Sequence, residues 1–272
     1  TLVGGSGVAT VHINQDTANA SISGGTGTIN LVVDGGGDVT LGAAITKANS
    51  VSLSKTTHFT ANNLAGLQIT GSAAGHDVIT IQNATQSVIG GGANETIKAS
   101  AAAAGASISG LGANSTLEIT SAGNVTLNAA TSVTQVKMDA AGSLQLNNMQ
   151  FISATATQTG STITAGAANQ TLISTHGGDV LVGAAAGLDI FKGTAAGLSN
   201  DIISSFNNLD KIDISNLAFA GATIQTKIVG GYTDVTLISG KIKTQFALAG
   251  AFSSTGFNLT SDGAGGTLLT HS

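Results

Sequence analysis

Proline, cysteine, tryptophan and arginine are all absent from this 272-residue chain. Without cysteine there are no disulfides, so the fold must be held together by other means. Charged residues make up 8% and aromatic residues 3% of the chain, against about 25% charged residues in an average domain. Few side chains are large enough to fill a bulky globular core. A narrow core of Val, Ile, Leu and Ala fits this composition better.

These absences also exclude several classes of function. The net charge is −5 and all nine basic residues are Lys, so nucleic-acid binding is not predicted. No apolar stretch reaches the roughly 20 residues of a membrane span. The sequence contains no HExxH, GxSxG or phosphate-loop motif, and no carboxylate cluster beside a Lys of the kind that polysaccharide lyases use. The five His residues are scattered without zinc-ligand spacing. We therefore predict that the protein is not an enzyme.

The chain does contain a repeat of nine residues. Large apolar residues recur at this interval in two series: Ile79, Val88 and Ile97, then Ile163, Leu172, Leu181 and Ile190. A short fixed period is typical of a solenoid, in which each repeat contacts only its neighbours.

Short apolar triplets alternate with polar residues along the whole chain, as half-buried strands do. Gly, Asn, Ser and Asp separate them at spacings too short for a crossover helix. The predicted fold is all-β, a right-handed parallel β-solenoid of the β-roll or β-helix type. Two nine-residue repeats would make one coil, so residues 18 apart should stack.

Aromatic residues are concentrated near the C-terminus, where seven of the nine lie from Phe191 onward. This composition shift predicts a boundary near residue 193. Residues 1–192 would form the solenoid and residues 193–272 a β-rich C-terminal cap. Such a cap is expected because an open solenoid end exposes apolar side chains and unpaired strand edges.

Three segments resemble the nonapeptide G-G-x-G-x-D-x-U-x of repeats-in-toxin (RTX) proteins. They are residues 72–80, 90–98 and 184–192. The resemblance implies that an acidic residue in each turn joins backbone carbonyls around Ca²⁺, which prefers oxygen ligands. The candidate metal ligands are Asp77, Glu95, Asp179 and Asp189, with Ca²⁺ as the candidate cofactor. The alternative is that they are solvated turn carboxylates that accept hydrogen bonds from backbone N–H groups.

Other repeats depart from the motif at the acidic position. Ala9, Ile29, Gln86 and Gln170 stand there instead of Asp, so the pattern predicts the coil more firmly than the metal. For Asp201, Asp210 and Asp213 we favour a structural role in the cap over metal binding.

The C-terminal region, from Asp201 to Ser215 and from Phe257 to Leu268, resembles the ends of type I-secreted RTX proteins. The resemblance implies a capping and secretion region at 193–272, export from a Gram-negative bacterium and folding outside the cell. The expected function is that of a structural protein of the cell surface that self-assembles into a surface layer or filament. Its expected partners are further copies of itself and cell-surface polysaccharide. Alternatively, the chain is the calcium-binding secretion module of a larger adhesin or enzyme.

Overall fold

The computed structural model describes residues 1–272. The chain is nearly all-β and winds into a β-solenoid of about 11 turns with stacked parallel coils, which confirms the predicted fold class. Helix is limited to one 3-10 turn at Ser254–Gly256. None of its helical structure has the length and apolar character that a membrane crossing requires.

The coils fall into two compact units. The N-terminal unit comprises Thr1–Ser121 with Val125–Gln135, and the C-terminal unit comprises Ala122–Asn124 with Val136–Ser272. The first fourteen strands are β1 (Leu2–Val3), β2 (Val8–Ile13), β3 (Ile22–Ser23), β4 (Thr28–Val33), β5 (Gly37–Thr40), β6 (Ile45–Thr46), β7 (Ala48–Leu53), β8 (Thr57–Thr60), β9 (Gln68–Thr70), β10 (Val78–Ile81), β11 (Ser87–Ile89), β12 (Thr96–Ala99), β13 (Ser107–Ser109) and β14 (Thr116–Ile119).

Strands of the N-terminal unit stack in three parallel columns. The columns are β1-β3-β6, β2-β4-β7-β9-β11-β13 and β5-β8-β10-β12-β14. Within the third column Val78 lies opposite Thr96, an offset of 18 residues, as the nine-residue repeat predicts. The offset grows to 20 between Thr96 and Thr116, because the turns between strands vary in length.

Inward-facing positions of successive strands fill the core. Phe59, Ile79, Ile97 and Leu117 lie in register on successive coils and are fully buried. Complete burial of one such side chain stabilises the fold by about 1.5–3 kcal/mol. The narrow apolar core expected from the composition is therefore present.

The remaining strands are β15 (Gly123–Thr126), β16 (Gln135–Met138), β17 (Gly142–Gln145), β18 (Ser153–Ala156), β19 (Thr162–Thr164), β20 (Thr171–Ser174), β21 (Val180–Val182), β22 (Ile190–Gly193), β23 (Ile202–Ser204), β24 (Lys211–Ile214), β25 (Thr223–Val229), β26 (Tyr232–Ser239), β27 (Ile242–Ala249), β28 (Phe257–Ser261) and β29 (Thr267–His271). In the C-terminal unit β17-β19-β21-β23 and β18-β20-β22-β24 form two parallel columns.

One position of the predicted repeat is wrong in this unit. Ile163, Leu172 and Leu181 are fully buried as expected, but Ile190 is only half-buried and Phe191 fills the interior instead. The turn between β21 and β22 contains one extra residue. Because side chains alternate along a strand, a shift of one residue turns Ile190 outward and Phe191 inward.

The coil also extends beyond the composition shift at residue 193. β23 and β24 still pair in parallel with the preceding coil, up to Ile214. The antiparallel strands begin only with β25; β25-β26-β27 continue one column and β28-β29 the other. Phe191, Phe206, Phe252, Phe257 and His271 pack ring against ring in a chain of contacts. The aromatic residues thus begin on the last parallel coils and extend into the antiparallel strands.

Candidate site: buried polar residues at the coil corners

Ten buried polar residues stand immediately before a strand, where the chain turns a corner of the coil. We call them the corner residues: Asp77, Gln86, Glu95, Ser115, Ser161, Gln170, Asp179, Asp189, Asp201 and Asp210. Each has at most 1% of its surface exposed. All four predicted metal ligands belong to this set. These four carboxylates are buried. The alternative, that they are turn carboxylates in contact with solvent, is therefore wrong about their exposure.

The local backbone explains why the chain turns there. His76, Asn94, Asn114, Asn169 and Asn200 directly precede a corner residue, and each has a φ between 58° and 63°. This left-handed conformation is rare except for Gly and Asn, whose short polar side chain tolerates it. A left-handed residue reverses the chain and directs the following side chain into the interior of the corner.

Asp77 holds two turns together through backbone N–H groups. Its Oδ1 accepts a hydrogen bond from the Thr57 amide of the previous coil at 2.8 Å, and its Oδ2 accepts one from the Ser72 amide at 2.6 Å. Amide groups buried without an acceptor cost about 1–3 kcal/mol each. Asp77 therefore replaces the partners that these amides lose when the chain leaves the strand.

Glu95 lies one coil further on, as the 18-residue spacing predicts. Its Oε1 accepts hydrogen bonds from the Gly91 and Gly92 amides at 2.8 and 3.4 Å, whereas the buried Oε2 has no hydrogen-bond partner. Burial raises the pKa of Glu95 above its usual value, and the Asp77 carboxylate raises it further. The longer Glu side chain thus accepts hydrogen bonds only from amides of its own turn, and one of its two carboxylate oxygens stays without a partner.

Asp179 and Asp189 stand before strands of different columns, as the sequence predicts. Asp179 accepts hydrogen bonds from the Ser161 amide at 2.8 Å and the Ser174 hydroxyl at 2.9 Å. Asp189 accepts them from the Gln170 amide at 3.0 Å and the Ala184 amide at 2.7 Å. Each carboxylate joins its own turn to the coil before it.

Two further carboxylates extend these columns by one coil. The Asp179 amide donates to Oδ1 of Asp201 at 2.9 Å, and the Asp189 amide donates to Oδ1 of Asp210 at 2.7 Å. Burial raises the pKa of Asp201 to about 7 and that of Asp210 to about 6. The like charge one coil away, on Asp179 or Asp189, adds to each increase. Sequence reasoning had assigned both residues a structural role, and their hydrogen bonds agree with it.

Glutamine takes the same role where the acidic residue is missing. Oε1 of Gln86 accepts from the Gln82 and Asn83 amides, while its Nε2 donates to the carbonyls of Asn62 and Leu64. Gln170 likewise accepts from the Gly166 amide and donates to the carbonyls of Asn147 and Met149. Gln86 and Gln170 therefore keep the accepting role of the acidic residue, whereas Ala9 and Ile29 at the same position of the repeat have side chains without an acceptor.

The contacts of the four predicted ligands do not fit a calcium site built from their side chains. Calcium takes six to eight oxygen ligands, whereas seven of these eight carboxylate oxygens accept an N–H or O–H donor. No group of three or more His, Asp or Glu side chains is arranged to hold a metal ion. Their geometry favours turn capping, and calcium binding stays a prediction.

The sequence carries a signal for these corners that the RTX pattern did not capture. Asn, Gly or His stands directly before seven of the ten corner residues, and an inward-facing residue follows two positions later in all ten. Comparison with protein-family models, curated proteins and solved structures found no match to this chain. The solenoid itself is compatible with a β-roll repeat protein.

Proposed function

We propose that this protein is a structural component of an extracellular surface that self-assembles into a layer or filament and performs no catalysis. The observation that carries the proposal is the presence of strands that pair on one side only, among them β2 and β25. β2 pairs only with β4, and β25 pairs only with β26. An exposed edge presents unpaired N–H and C=O groups that can bind a strand of another chain.

The surface chemistry supports the same function. Only 8% of the residues are charged, and the outward positions of the β-columns are mostly Ser, Thr, Asn and Gln. For example, one outward-facing row of residues in register on β2, β4, β7 and β9 consists of Thr10, Asn30, Ser50 and Gln68. Such a surface creates little electrostatic repulsion between copies. It also offers hydroxyl and amide groups to a polysaccharide, the second partner that we propose.

The RTX resemblance supplies the proposed location. It supports secretion by a type I system of a Gram-negative bacterium, with residues 193–272 as the capping and secretion region. Calcium assistance is part of this proposal, but the corner carboxylates are already hydrogen-bonded. Any calcium that promotes assembly would have to find other oxygen ligands.

A second candidate is the secretion module of a larger adhesin or enzyme. The difference between the first coil of the N-terminal unit and the last coils of the C-terminal unit favours it. The C-terminal coils are covered by antiparallel strands, whereas on β2 the inward-facing Ala9 and Val11 are only half-buried. Mass analysis of the secreted polypeptide distinguishes the candidates. A catalytic or adhesive domain before Thr1 supports the second.

Electron microscopy of the secreted protein, with calcium and with a chelator, tests the first proposal. We expect an ordered layer or filament. Circular dichroism should retain most of the strand signal after chelation, because the coils are held by backbone pairing and by the corner residues. A monomer under all conditions would overturn self-assembly. Complete unfolding on chelation would show that the corner residues are insufficient without calcium.

A further inference from the structure

The first coil leaves one edge of the N-terminal unit open. β1 and β2 each have a partner strand on one side only. Leu2, Val3 and Val8 expose 46%, 65% and 71% of their surface. An unpaired edge with exposed apolar side chains is the arrangement that binds an added strand.

The outer hairpin of the C-terminal unit leaves a second open edge. β25 pairs on one side only, and its last two residues, Ile228 and Val229, are 57% and 46% exposed. Tyr232 in the following strand is 41% exposed. β25 has seven residues and β2 has six, so the two edges match in length.

Charge distinguishes the two edges. Residues 1–47 contain three acidic residues, Asp16, Asp34 and Asp38, against one Lys, Lys47, and Asp34 and Asp38 each lie beside a His. The hairpin region 219–249 contains Lys227, Lys241 and Lys243 against one acidic residue. The three Asp and the three Lys side chains are exposed, and the one acidic residue of the hairpin region, Asp234, is half-buried. Opposite charge favours contact between unlike edges and disfavours contact between like edges.

We propose that the β2 edge of one copy binds the β25 edge of a second copy, head to tail. This inference rests on the proposed self-assembly and names the two surfaces that carry it. A contact between two different surfaces leaves one free copy of each surface at the ends of the assembly. It therefore continues into an open polymer unless the copies close into a ring.

Reversing the charges near the β2 edge or near the β25 edge tests whether these two edges bind each other. One variant carries Asp16→Lys, Asp34→Lys and Asp38→Lys, and the other carries Lys227→Glu, Lys241→Glu and Lys243→Glu. In each variant the substituted side chains near one edge have the same sign of charge as the side chains near the other edge. We expect the concentration needed for polymer formation to rise about tenfold or more, equivalent to about 1.4 kcal/mol, by sedimentation velocity and electron microscopy.

Mixing the two variants provides the decisive measurement. An equimolar mixture offers unlike charges at every contact, so we expect an alternating polymer although neither variant polymerises alone. A control that reverses Lys98 and Lys137, which lie outside both edges, should polymerise like the unmodified chain. Circular dichroism of all variants checks that each one folds.

The outcomes separate this inference from the proposed function. If the unmodified chain polymerises and both end variants do so equally well, self-assembly stands and the head-to-tail pairing is wrong. If both variants fail and the mixture does not recover, the two edges do not bind each other. If the secreted protein has residues before Thr1 that pair with β2, that segment and not a second copy occupies the edge.

Discussion

The corners of the N-terminal unit and those of the C-terminal unit meet the same need with different side chains. In the N-terminal unit two of the four corner residues, Gln86 and Ser115, are neutral. In the C-terminal unit four of the six are Asp, and they follow one another in consecutive coils: Asp179 with Asp201, and Asp189 with Asp210. Both units satisfy buried amides, but the C-terminal unit does so with stacked negative charges.

This difference shows that a neutral side chain can take the place of a buried carboxylate at a corner. A buried carboxylate accepts strong hydrogen bonds, but burial penalises its ionised form. Glutamine and serine avoid that penalty. The comparison therefore predicts that the two units respond differently to substitution and to pH.

The largest expected effect comes from removing a corner carboxylate. Asp189→Ala leaves the Gln170 and Ala184 amides without an acceptor, so we expect the free energy of unfolding to fall by about 2–6 kcal/mol. Relief of the repulsion with Asp210 offsets part of this loss. Chemical denaturation measures the change, and hydrogen exchange should accelerate at those two amides.

A surface substitution of the same type is the matched control. Asp139 forms a partly exposed ion pair with Lys137 at 2.8 Å, and surface pairs contribute about 0–1 kcal/mol. Asp139→Ala should therefore change stability little. Equal losses from the two substitutions would refute the capping role of Asp189.

The second effect is a pH dependence of the C-terminal unit. Asp201 and Asp210 have pKa values of about 7 and about 6 in the folded protein, above the ordinary 3.8. The folded state then binds more protons than the unfolded state between these values, so stability rises as the pH falls from 8 towards 5. We expect a gain on the order of 2–3 kcal/mol.

Calorimetry at several pH values, on the unmodified chain and on an Asp201→Asn, Asp210→Asn variant, measures this dependence. The variant should lose most of it. A C-terminal unit that becomes less stable between pH 8 and 5 would contradict the assignment. The N-terminal unit should respond less, because two of its four corner residues are neutral.

The smallest effect distinguishes two carboxylates within the N-terminal unit. Glu95→Gln keeps the acceptor for the Gly91 and Gly92 amides and removes a buried charge, so we expect stability to stay unchanged or to rise by about 1 kcal/mol. Asp77→Asn, one coil away, replaces an oxygen that accepts an N–H bond with a second donor. It should be destabilising, and thermal unfolding of both variants at pH 7 compares them. Equal changes in stability from Glu95→Gln and Asp77→Asn would show that the unpaired Oε2 of Glu95 does not affect stability.

Much of the core was predictable because it depends on a local period. Leu31, Val51, Leu117 and Leu144 were expected to alternate inward on strands, and all four are buried. Ile190 was not predicted correctly, since one extra residue in the preceding turn changes which side chain faces inward. A fixed nine-residue interval cannot detect such an insertion, whereas strand pairing reveals it directly.

The corner residues were found for a different reason from the one that the structure supports. The RTX resemblance predicts Asp77, Glu95, Asp179 and Asp189 as metal ligands. It treats Gln86 and Gln170 as positions where the metal-binding acidic residue is missing. Their equivalence became visible only when the donors were known. Those donors are backbone amides 3 to 22 residues away, which no side-chain pattern identifies.

The sequence by itself determined the coil: alternating apolar residues select strands, and Gly and Asn at short intervals select tight turns. These are local preferences of the backbone and its nearest neighbours, so they can be read without the fold. Only the tertiary structure decided which buried oxygen faces which amide, how far the parallel coil extends and which edges stay open. Those properties depend on how successive coils stack, because a hydrogen bond between coils joins residues that are distant in the chain.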